Sequence, residues 1–176
     1  MKPVAHGERG LKTSPRRRAR EFALQGLYQW QVAGGTAAQV LRNLGEMDDY
    51  ELADATFLRR MVTESIREAD ASRTQLEPLI DRKWEEVSPV ERSILLIGAW
   101  ELIHCPQTPY RVVINEAIEL GKIFGGTDGH KYVNGILDRL ASSLRPADAA
   151  GGKGESKRRE DASRKTGKMT LKKSPA

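Results

Sequence analysis

Hydrophobic residues recur at helical spacing along most of the chain. The clearest stripe consists of Val133, Ile136, Leu137, Leu140 and Leu144. Intervals of this kind place side chains on one face of a helix. No segment of four to eight residues alternates cleanly between apolar and polar positions, so we predict no β-sheet. The pattern therefore predicts an all-α fold with about seven helices.

Capping and helix-breaking residues set the ends of the predicted helices. Ser14-Pro15 provides an N-cap followed by a proline at the first helical position, and Gly34-Gly35 ends this helix near residue 33. Ser88-Pro89-Val90-Glu91 combines a capping box with a proline in the first turn, and Pro106 follows the end of that helix. The remaining helices are marked by four groups of apolar residues: Ala37, Val40, Leu41 and Leu44; Phe57, Leu58, Met61, Val62 and Ile66; Leu76, Leu79 and Ile80, ending near Trp84; and Val113, Ala117, Leu120 and Phe124.

The most apolar segment of the chain runs from Ile94 to Trp100. A helix that is apolar on all sides belongs at the centre of a fold. No segment reaches the roughly 18 apolar residues that a membrane span needs, and the N-terminus lacks the apolar region of a secretory signal. We therefore expect a cytoplasmic protein without a membrane segment.

The composition changes near both ends of the chain. After residue 145 the only large apolar side chains are Met169 and Leu171, too few to offset the entropy of ordering that segment. We therefore predict a flexible basic N-terminal extension over 1–13, a folded helical domain over 14–145 and a disordered basic tail over 146–176.

Positive charge is concentrated at the two ends. Residues 1–20 carry seven Lys or Arg against one acidic residue, and residues 146–176 carry nine against four. The body between them, residues 21–145, carries thirteen against nineteen and is acidic. An acidic body with two basic ends indicates contact with a polyanion through defined segments, although solubility explains the charge of the tail equally well.

The sequence contains no motif for nucleotide binding or nucleophilic catalysis. Its glycine-rich segment over 125–129 lacks the Gly-Lys-Ser/Thr ending of a phosphate-binding loop. His104 and Cys105 are neighbours, so on a helix they point about 100° apart and do not face each other. One cysteine and three scattered histidines predict neither a disulfide nor a metal site. We therefore expect a protein that is not an enzyme and needs no cofactor.

The first helix combines basic residues with an aromatic ring on one side. On a helical wheel the side opposite the apolar stripe holds Arg17, Arg20, Glu21, Leu24 and Tyr28, flanked by Arg16 and Arg18. Arginines bind phosphates, and a tyrosine ring stacks on a base or packs against a partner, so this side is a candidate surface for single-stranded RNA. The wheel is equally consistent with a second helix that packs on this side and covers Tyr28.

A second candidate patch lies at the start of the last helix. Asp128 or Thr127 is predicted to cap it, and Lys131 and Tyr132 fall off the apolar stripe, so both should be at least partly exposed. Free N–H groups at a helix N-terminus attract anions, and Lys131 adds a positive charge. A plain capping role explains Asp128 as well, and the sequence alone does not reveal whether the two patches adjoin.

Three groups of residues resemble the NusB family of bacterial transcription antitermination factors. They are Arg16-Arg17-Arg18-Ala19-Arg20-Glu21 with Leu27-Tyr28-x-Trp30; Pro109-Tyr110 with Ile114-Asn115-Glu116-Ala117-Ile118-Glu119-Leu120; and His130-Lys131-Tyr132-Val133-Asn134-Gly135-Ile136-Leu137-Asp138. The resemblance covers 16–145, although between about 35 and 83 it is one of pattern only. It implies a fold of two small helical bundles packed together.

The resemblance also implies a function and a set of site residues. NusB proteins bind the single-stranded boxA element of ribosomal RNA leaders together with a small-subunit ribosomal protein, NusE, in an antitermination complex with RNA polymerase and other Nus factors. Carried over position by position, the RNA-binding residues are Arg16, Arg17, Arg18, Arg20, Tyr28, Asp128, Lys131 and Tyr132. Glu91 is expected to meet the ribosomal protein on a separate, more acidic surface, and Tyr28 is a second candidate for partner binding.

Three departures from the family pattern affect what is carried over. Residues 4–14 resemble an insertion before the arginine run, Leu96 stands where some relatives have a basic residue, and the tail after Pro146 is additional. We expect the tail to add non-specific electrostatic affinity only. Two other interpretations stay open. One is the helical domain of an rRNA cytosine methyltransferase, which we disfavour for want of a nucleotide-cofactor domain, and the other is a structural module that pairs into a homodimer.

Overall fold

The computed structural model describes residues 13–148. Residues 1–12 and 149–176, which hold nearly all of the predicted extension and tail, lie outside the described residues. Within 13–148 the chain forms seven complete α-helices and three short 3₁₀ turns, and this part contains no β-strand. Residues 146–148, the described start of the segment predicted to be disordered, are helical as well. The prediction of an all-α fold with about seven helices is confirmed.

The helices are joined by short connections. In chain order they are α1 (Pro15–Ala33), α2 (Ala37–Gly45), α3 (Ala55–Arg67), α4 (Ala69–Leu76), α5 (Pro89–His104), α6 (Tyr110–Phe124) and α7 (Gly129–Leu144). The 3₁₀ turns cover Tyr50–Leu52, Glu77–Leu79 and Trp84–Glu86. Among the helices described, none has the length and apolar character needed to cross a membrane.

The local sequence sets most helix ends where they were predicted. Ser14 Oγ accepts a hydrogen bond from the Arg17 N–H at 3.1 Å. Helix α1 ends at Gly34, whose φ of 74° is a left-handed conformation that favours glycine. At the start of α5 the Ser88 hydroxyl accepts from the Glu91 N–H at 3.2 Å, and the Glu91 carboxylate accepts from the Ser88 N–H at 3.3 Å. These reciprocal bonds are the predicted capping box.

The fourth predicted helix is wrong in position. The apolar spacing from Leu76 to Ile80 predicted a helix ending near Trp84, but the helix lies earlier, at Ala69–Leu76, and two 3₁₀ turns follow it. Pro78 has no N–H with which to continue the α-helical hydrogen bonds. Trp84 is buried and therefore reaches the core from a turn rather than from a helix.

Helix α5 lies at the centre of two small helical bundles. Helices α1, α2 and α3 pack together as one bundle, α4 to α7 form the other, and α5 contacts helices of both. Every residue from Ser93 to Leu102 is buried, which confirms that the helix apolar on all sides lies innermost. This stretch includes one carboxylate, Glu101, which at 1% exposure needs a buried partner of opposite charge.

One arginine closes the C-terminal end of α5. The Arg145 guanidinium, directly after α7, donates to the carbonyl oxygens of Glu101 at 3.1 Å, Leu102 at 2.8 Å, Cys105 at 2.9 Å and Thr108 at 2.6 Å. These carbonyls belong to the last turn of α5 and to the turn after it, where a helix runs out of N–H partners. Arg145 therefore ties the end of α7 to the end of α5.

Candidate nucleic-acid interface

The arginine run at the start of α1 is oriented by carboxylates from four other parts of the fold. The pairs are Arg16 with Asp54 at 3.7 Å, Arg17 with Glu116 at 3.0 Å, Arg18 with Asp49 at 3.4 Å and Arg20 with Glu101 at 2.6 Å. Exposure decides which of these arginines a ligand can reach. The side chains of Arg16 and Arg17 are 50% and 39% exposed, whereas that of Arg18 is 19% exposed.

Arg17 makes a two-pronged contact with α6. Its Nε donates to Glu116 Oε2 and its Nη2 donates to Glu116 Oε1, both at 3.0 Å. The hydrogen bond with Glu116 raises the pKa of Arg17 above its ordinary value, against the opposing effect of burial. The guanidinium is therefore held flat in a fixed place and still faces solvent on one side, an arrangement suited to accepting a phosphate in the same two-pronged geometry.

Arg20 is not on the surface, which contradicts the exposed position that its prediction as an RNA-binding residue requires. The residue is 4% exposed, and its Nε and Nη2 donate to the two Glu101 carboxylate oxygens at 2.6 and 2.8 Å. Burial opposes the charge of Arg20, but the bonds to Glu101 outweigh it and raise the pKa. Leu24, one turn further along, is fully buried as well. The wheel failed here because α1 is covered on two sides, by the helices of its own bundle and by α5 and α6.

Tyr28 lies one turn beyond Leu24 on the same side of α1 and is half-buried. It is thus neither a free surface ring nor a core residue. The two alternatives from the sequence, contact with RNA and cover by a second helix, both stay predictions.

The start of α7 carries the second patch. Asp128 occupies the predicted N-cap position, but its side chain makes no capping hydrogen bond and instead pairs with Lys131 Nζ at 3.0 Å. Both side chains are more than 70% exposed. Lys131 lowers the pKa of the Asp128 carboxyl below its ordinary value. The surface at this helix end is consequently an exposed ion pair, with Lys131 accessible as predicted.

Tyr132 is half-buried, and one face of its ring is covered. The Arg82 guanidinium carbon lies 4.5 Å from the ring centroid. The Tyr132 hydroxyl is buried and has no hydrogen-bond partner among the residues described. Burial raises the pKa of this hydroxyl. Sequence reasoning missed Arg82 because it lies in a loop, outside any helical face on which a pattern could place it.

The two patches are connected along α6. Glu116, which holds Arg17, is five residues before Gly121 on this helix, a separation of about 7.5 Å along the axis. At Gly121 helix α7 approaches so closely that a Cβ would lie 2.8 Å from the His130 Cα. Helix α6 therefore contacts both patches, at positions about 7.5 Å apart along its axis and about 140° apart around it.

Glu91 adjoins the second patch. Besides capping α5, its carboxylate oxygen Oε1 lies 3.0 Å from the place that a Cβ on Gly129 would occupy. The starts of α5 and α7 therefore meet at this carboxylate, and the expected partner surface around Glu91 borders the second patch. A ligand that touches Glu91 would also be close to Lys131 and Tyr132.

The other residues that the sequence analysis considered for chemistry or binding are buried or engaged in structural contacts. Cys105 is buried, and burial raises the pKa of its thiol. The ring of His104 turns to the junction of α3 and α4, where its Nε2 lies 2.6 Å from a Glu68 carboxylate oxygen. Leu96 is 3% exposed, so nothing at this position faces a ligand. Among residues 13–148 no group of three side chains is arranged to hold a metal ion.

Comparison with known proteins identifies close relatives. The sequence model described as the NusB family matches residues 17–142. A protein of Thiobacillus denitrificans is 49% identical over 133 residues, which is 76% of this chain and 92% of that protein. One of Dechloromonas aromatica is 50% identical over 137 residues, 78% of this chain and 84% of that protein. Both are named transcription antitermination protein NusB.

Solved structures share the fold. NusB of T. maritima is 31% identical with a TM-score of 0.57, covering 74% of this chain and 93% of that one. A crystal structure of antitermination factors NusB and NusE with double-stranded RNA contains a chain that is 23% identical with a TM-score of 0.64. The match covers 73% of this chain and 97% of that chain, and at this identity it shows the fold alone.

Proposed function

The chain belongs to the NusB family, and from that premise we propose that it binds the boxA element of ribosomal RNA leaders. In this proposal it does so together with the ribosomal protein that acts as NusE, within an antitermination complex that contains RNA polymerase and other Nus factors. It acts as an adaptor, without chemical turnover.

The observation that carries the proposal is the placement of basic groups along α6. Arg17 pairs with Glu116 in the middle of this helix and keeps an exposed side, and Lys131 is exposed beside His130, which contacts α6 at Gly121. Exposed cations beside two positions of one helix suit the spaced phosphates of a single strand. The solved complex that contains NusB, NusE and double-stranded RNA supports both classes of partner for this fold.

We expect Arg17 to exchange one anion for another when RNA binds. Glu116 presents two oxygens to the guanidinium fork, and a phosphate presents the same pair at similar spacing. Because the arginine already has its bound shape, little conformational entropy is lost in the exchange. Arg16 and Arg18, whose pairs with Asp54 and Asp49 are longer, add charge around this contact.

Glu91 is the candidate contact for a basic ribosomal protein, with Tyr28 as a second one. The carboxylate is partly exposed although it caps α5. Since it adjoins the start of α7, a protein bound there would lie against the RNA. Shared contact between protein and RNA accounts for joint binding without any change of fold.

Fluorescence anisotropy with a labelled boxA RNA, a scrambled strand and a duplex of the same sequence tests this function. Each is measured with and without the ribosomal protein, at two salt concentrations. We expect the ribosomal protein to tighten binding of the boxA strand and not of the scrambled one. Equal binding of all three RNAs, unchanged by the protein, would overturn the proposal. Light scattering at several concentrations then establishes whether a homodimer covers the arginines.

A further inference from the structure

The contact between Arg82 and Tyr132 changes the surface that the second patch offers. Arg82 belongs to the loop over residues 80–83, between two 3₁₀ turns and 50 residues before Tyr132 in the chain. Its guanidinium carbon lies 4.5 Å from the ring centroid, within the range of a cation–π contact. The face of the ring on which it lies is therefore closed to a base, and the outer face of the guanidinium takes its place.

The guanidinium is held in this position by its neighbour in sequence. Arg82 Nε donates to Asp81 Oδ1 at 2.9 Å, and Nη2 donates to Asp81 Oδ2 at 3.4 Å. The arginine side chain is nevertheless 43% exposed. The pair with Asp81 takes up two nitrogens and leaves Nη1 and the outer face of the group for another partner.

The loop over residues 80–83 is anchored by other residues, so the contacts of Arg82 with Asp81 and Tyr132 are not needed to hold it. Arg139 of α7 donates through Nη2 to the Leu79 carbonyl at 2.5 Å, which fixes the loop to the same helix. At the other end of the loop Trp84 is buried in the core. Arg82 is thus an exposed planar cation, mounted on an aromatic ring and oriented by a carboxylate, in a loop that other residues already hold.

We propose that Arg82 is an RNA-binding residue whose guanidinium, supported by Tyr132, stacks on an unpaired base of the bound strand. An arginine plane stacks on bases as aromatic rings do and adds its charge to the contact. Lys131 directly precedes Tyr132, and its exposed ammonium group supplies a phosphate contact next to this stack. This inference rests on the proposed function, because it assigns a further residue to the same RNA site.

The test uses the full chain with the boxA strand, with and without the ribosomal protein. Arg82→Met keeps the length of the side chain and removes its charge and plane, whereas Arg82→Lys keeps the charge alone. Arg59→Met removes an exposed arginine of α3 and serves as the control for net charge. We expect Arg82→Met to weaken boxA binding about tenfold, in keeping with the loss of one base stack. Arg82→Lys should show the salt dependence of the wild type, because it keeps the charge, but not the wild-type affinity, because it lacks the planar group.

A scan with abasic nucleotides separates stacking from a structural role. Each base of the boxA strand is removed in turn. We expect one position at which base removal weakens binding by the wild-type chain about tenfold and weakens binding by Arg82→Met no further, because the same stack is already lost. Thermal unfolding should be the same for Arg82→Met and Arg59→Met.

Each outcome decides the inference. If the wild type prefers boxA and Arg82→Met binds like Arg59→Met, the inference is wrong and the proposed function stands. The inference is also wrong if Arg82→Met loses affinity and each abasic strand still weakens its binding as it weakens wild-type binding, since Arg82 then supports the site only indirectly. If the wild type binds boxA and scrambled RNA equally, both the function and the inference fall.

Discussion

The buried pair of Arg20 and Glu101 provides the sharpest test of how the arginine run is used. Sequence patterns assign Arg20 to the RNA, whereas the structure places it in the core. We therefore predict that Arg20→Met destabilises the fold strongly, and that RNA binding returns when the pair is replaced as a whole.

The size of the expected destabilisation follows from the burial of both side chains. The side chains of Arg20 and Glu101 are 5% and 2% exposed, and two hydrogen bonds of 2.6 and 2.8 Å join them. Removing one partner leaves a charge in the core without compensation, which costs about 3–5 kcal/mol. This is a large part of the roughly 5–15 kcal/mol by which a domain is stable.

Replacing both partners has a different effect. Arg20→Met combined with Glu101→Met removes both charges and fills the space with apolar side chains of similar length. Such replacements are often neutral or stabilising, since the cost of desolvating two ions disappears. We therefore expect the double variant to regain most of the stability that Arg20→Met loses.

Two assays are applied to Arg20→Met, to the double variant and to a control. Urea unfolding monitored by helical circular dichroism gives the free energy of unfolding, and anisotropy with the boxA strand gives the affinity. Lys122→Met is the control, because its pair with Glu119 at 3.1 Å is exposed on both sides and should contribute less than about 1 kcal/mol. At temperatures where the double variant is folded, we expect it to bind RNA as the wild type does.

Two results would refute this reasoning. A loss below about 1 kcal/mol for Arg20→Met would mean that the pair contributes no more than a surface pair. A folded double variant that binds boxA RNA ten times more weakly would return Arg20 to the RNA-binding residues.

Three further predictions concern single residues. Arg17→Ala should lower the slope of log affinity against log salt by about 0.7, the value for one phosphate of a single strand. Arg145→Met should destabilise the fold by about 2–3 kcal/mol in urea unfolding, because four carbonyls lose a charged donor. Tyr132→Phe should leave RNA binding unchanged and stabilise the fold by up to about 1 kcal/mol, because a buried hydroxyl without a partner is removed. Since burial raises the pKa of Tyr132, the wild type should lose stability relative to Tyr132→Phe as the pH rises above about 10.

Each of these predictions has a matching control. An unchanged salt slope would remove Arg17 from the phosphate contacts, and Arg59→Ala measures the effect of net charge alone. Arg145→Lys keeps the charge but lacks the planar set of N–H donors, so it should recover only part of the stability that Arg145→Met loses. If Tyr132→Phe is destabilising, the hydroxyl has a hydrogen-bond partner in solution, and the conclusion that it is buried without one is wrong.

Local signals explain what the sequence predicted correctly. Ser14 and Ser88 cap their helices through atoms within three residues of each other, so the chemistry of each cap can be read from its neighbours alone. The central position of α5 follows from a run that has no polar side to turn outward. The stripe of α7 likewise placed Lys131 outside, where the structure has it.

Contacts between distant residues explain what the sequence did not predict. Arg20 is buried against Glu101, which lies 81 residues away, and no wheel of α1 contains that residue. Arg82 meets Tyr132 across 50 residues from a loop without periodicity. The fourth helix was misplaced because Pro78 and the burial of Trp84 override the apolar spacing. Tertiary partners, not local preference, decide these positions.

Glu101 joins the two places where the chain's basic segments are attached. Its carboxylate holds Arg20, in the first turns of α1, and its carbonyl accepts from Arg145, where the domain ends. The points at which the segments 1–20 and 146–176, with net charges of +6 and +5, join the rest of the fold therefore lie close together. A polyanion that reaches one attachment point is already near the other, so one bound strand can be attracted by both segments.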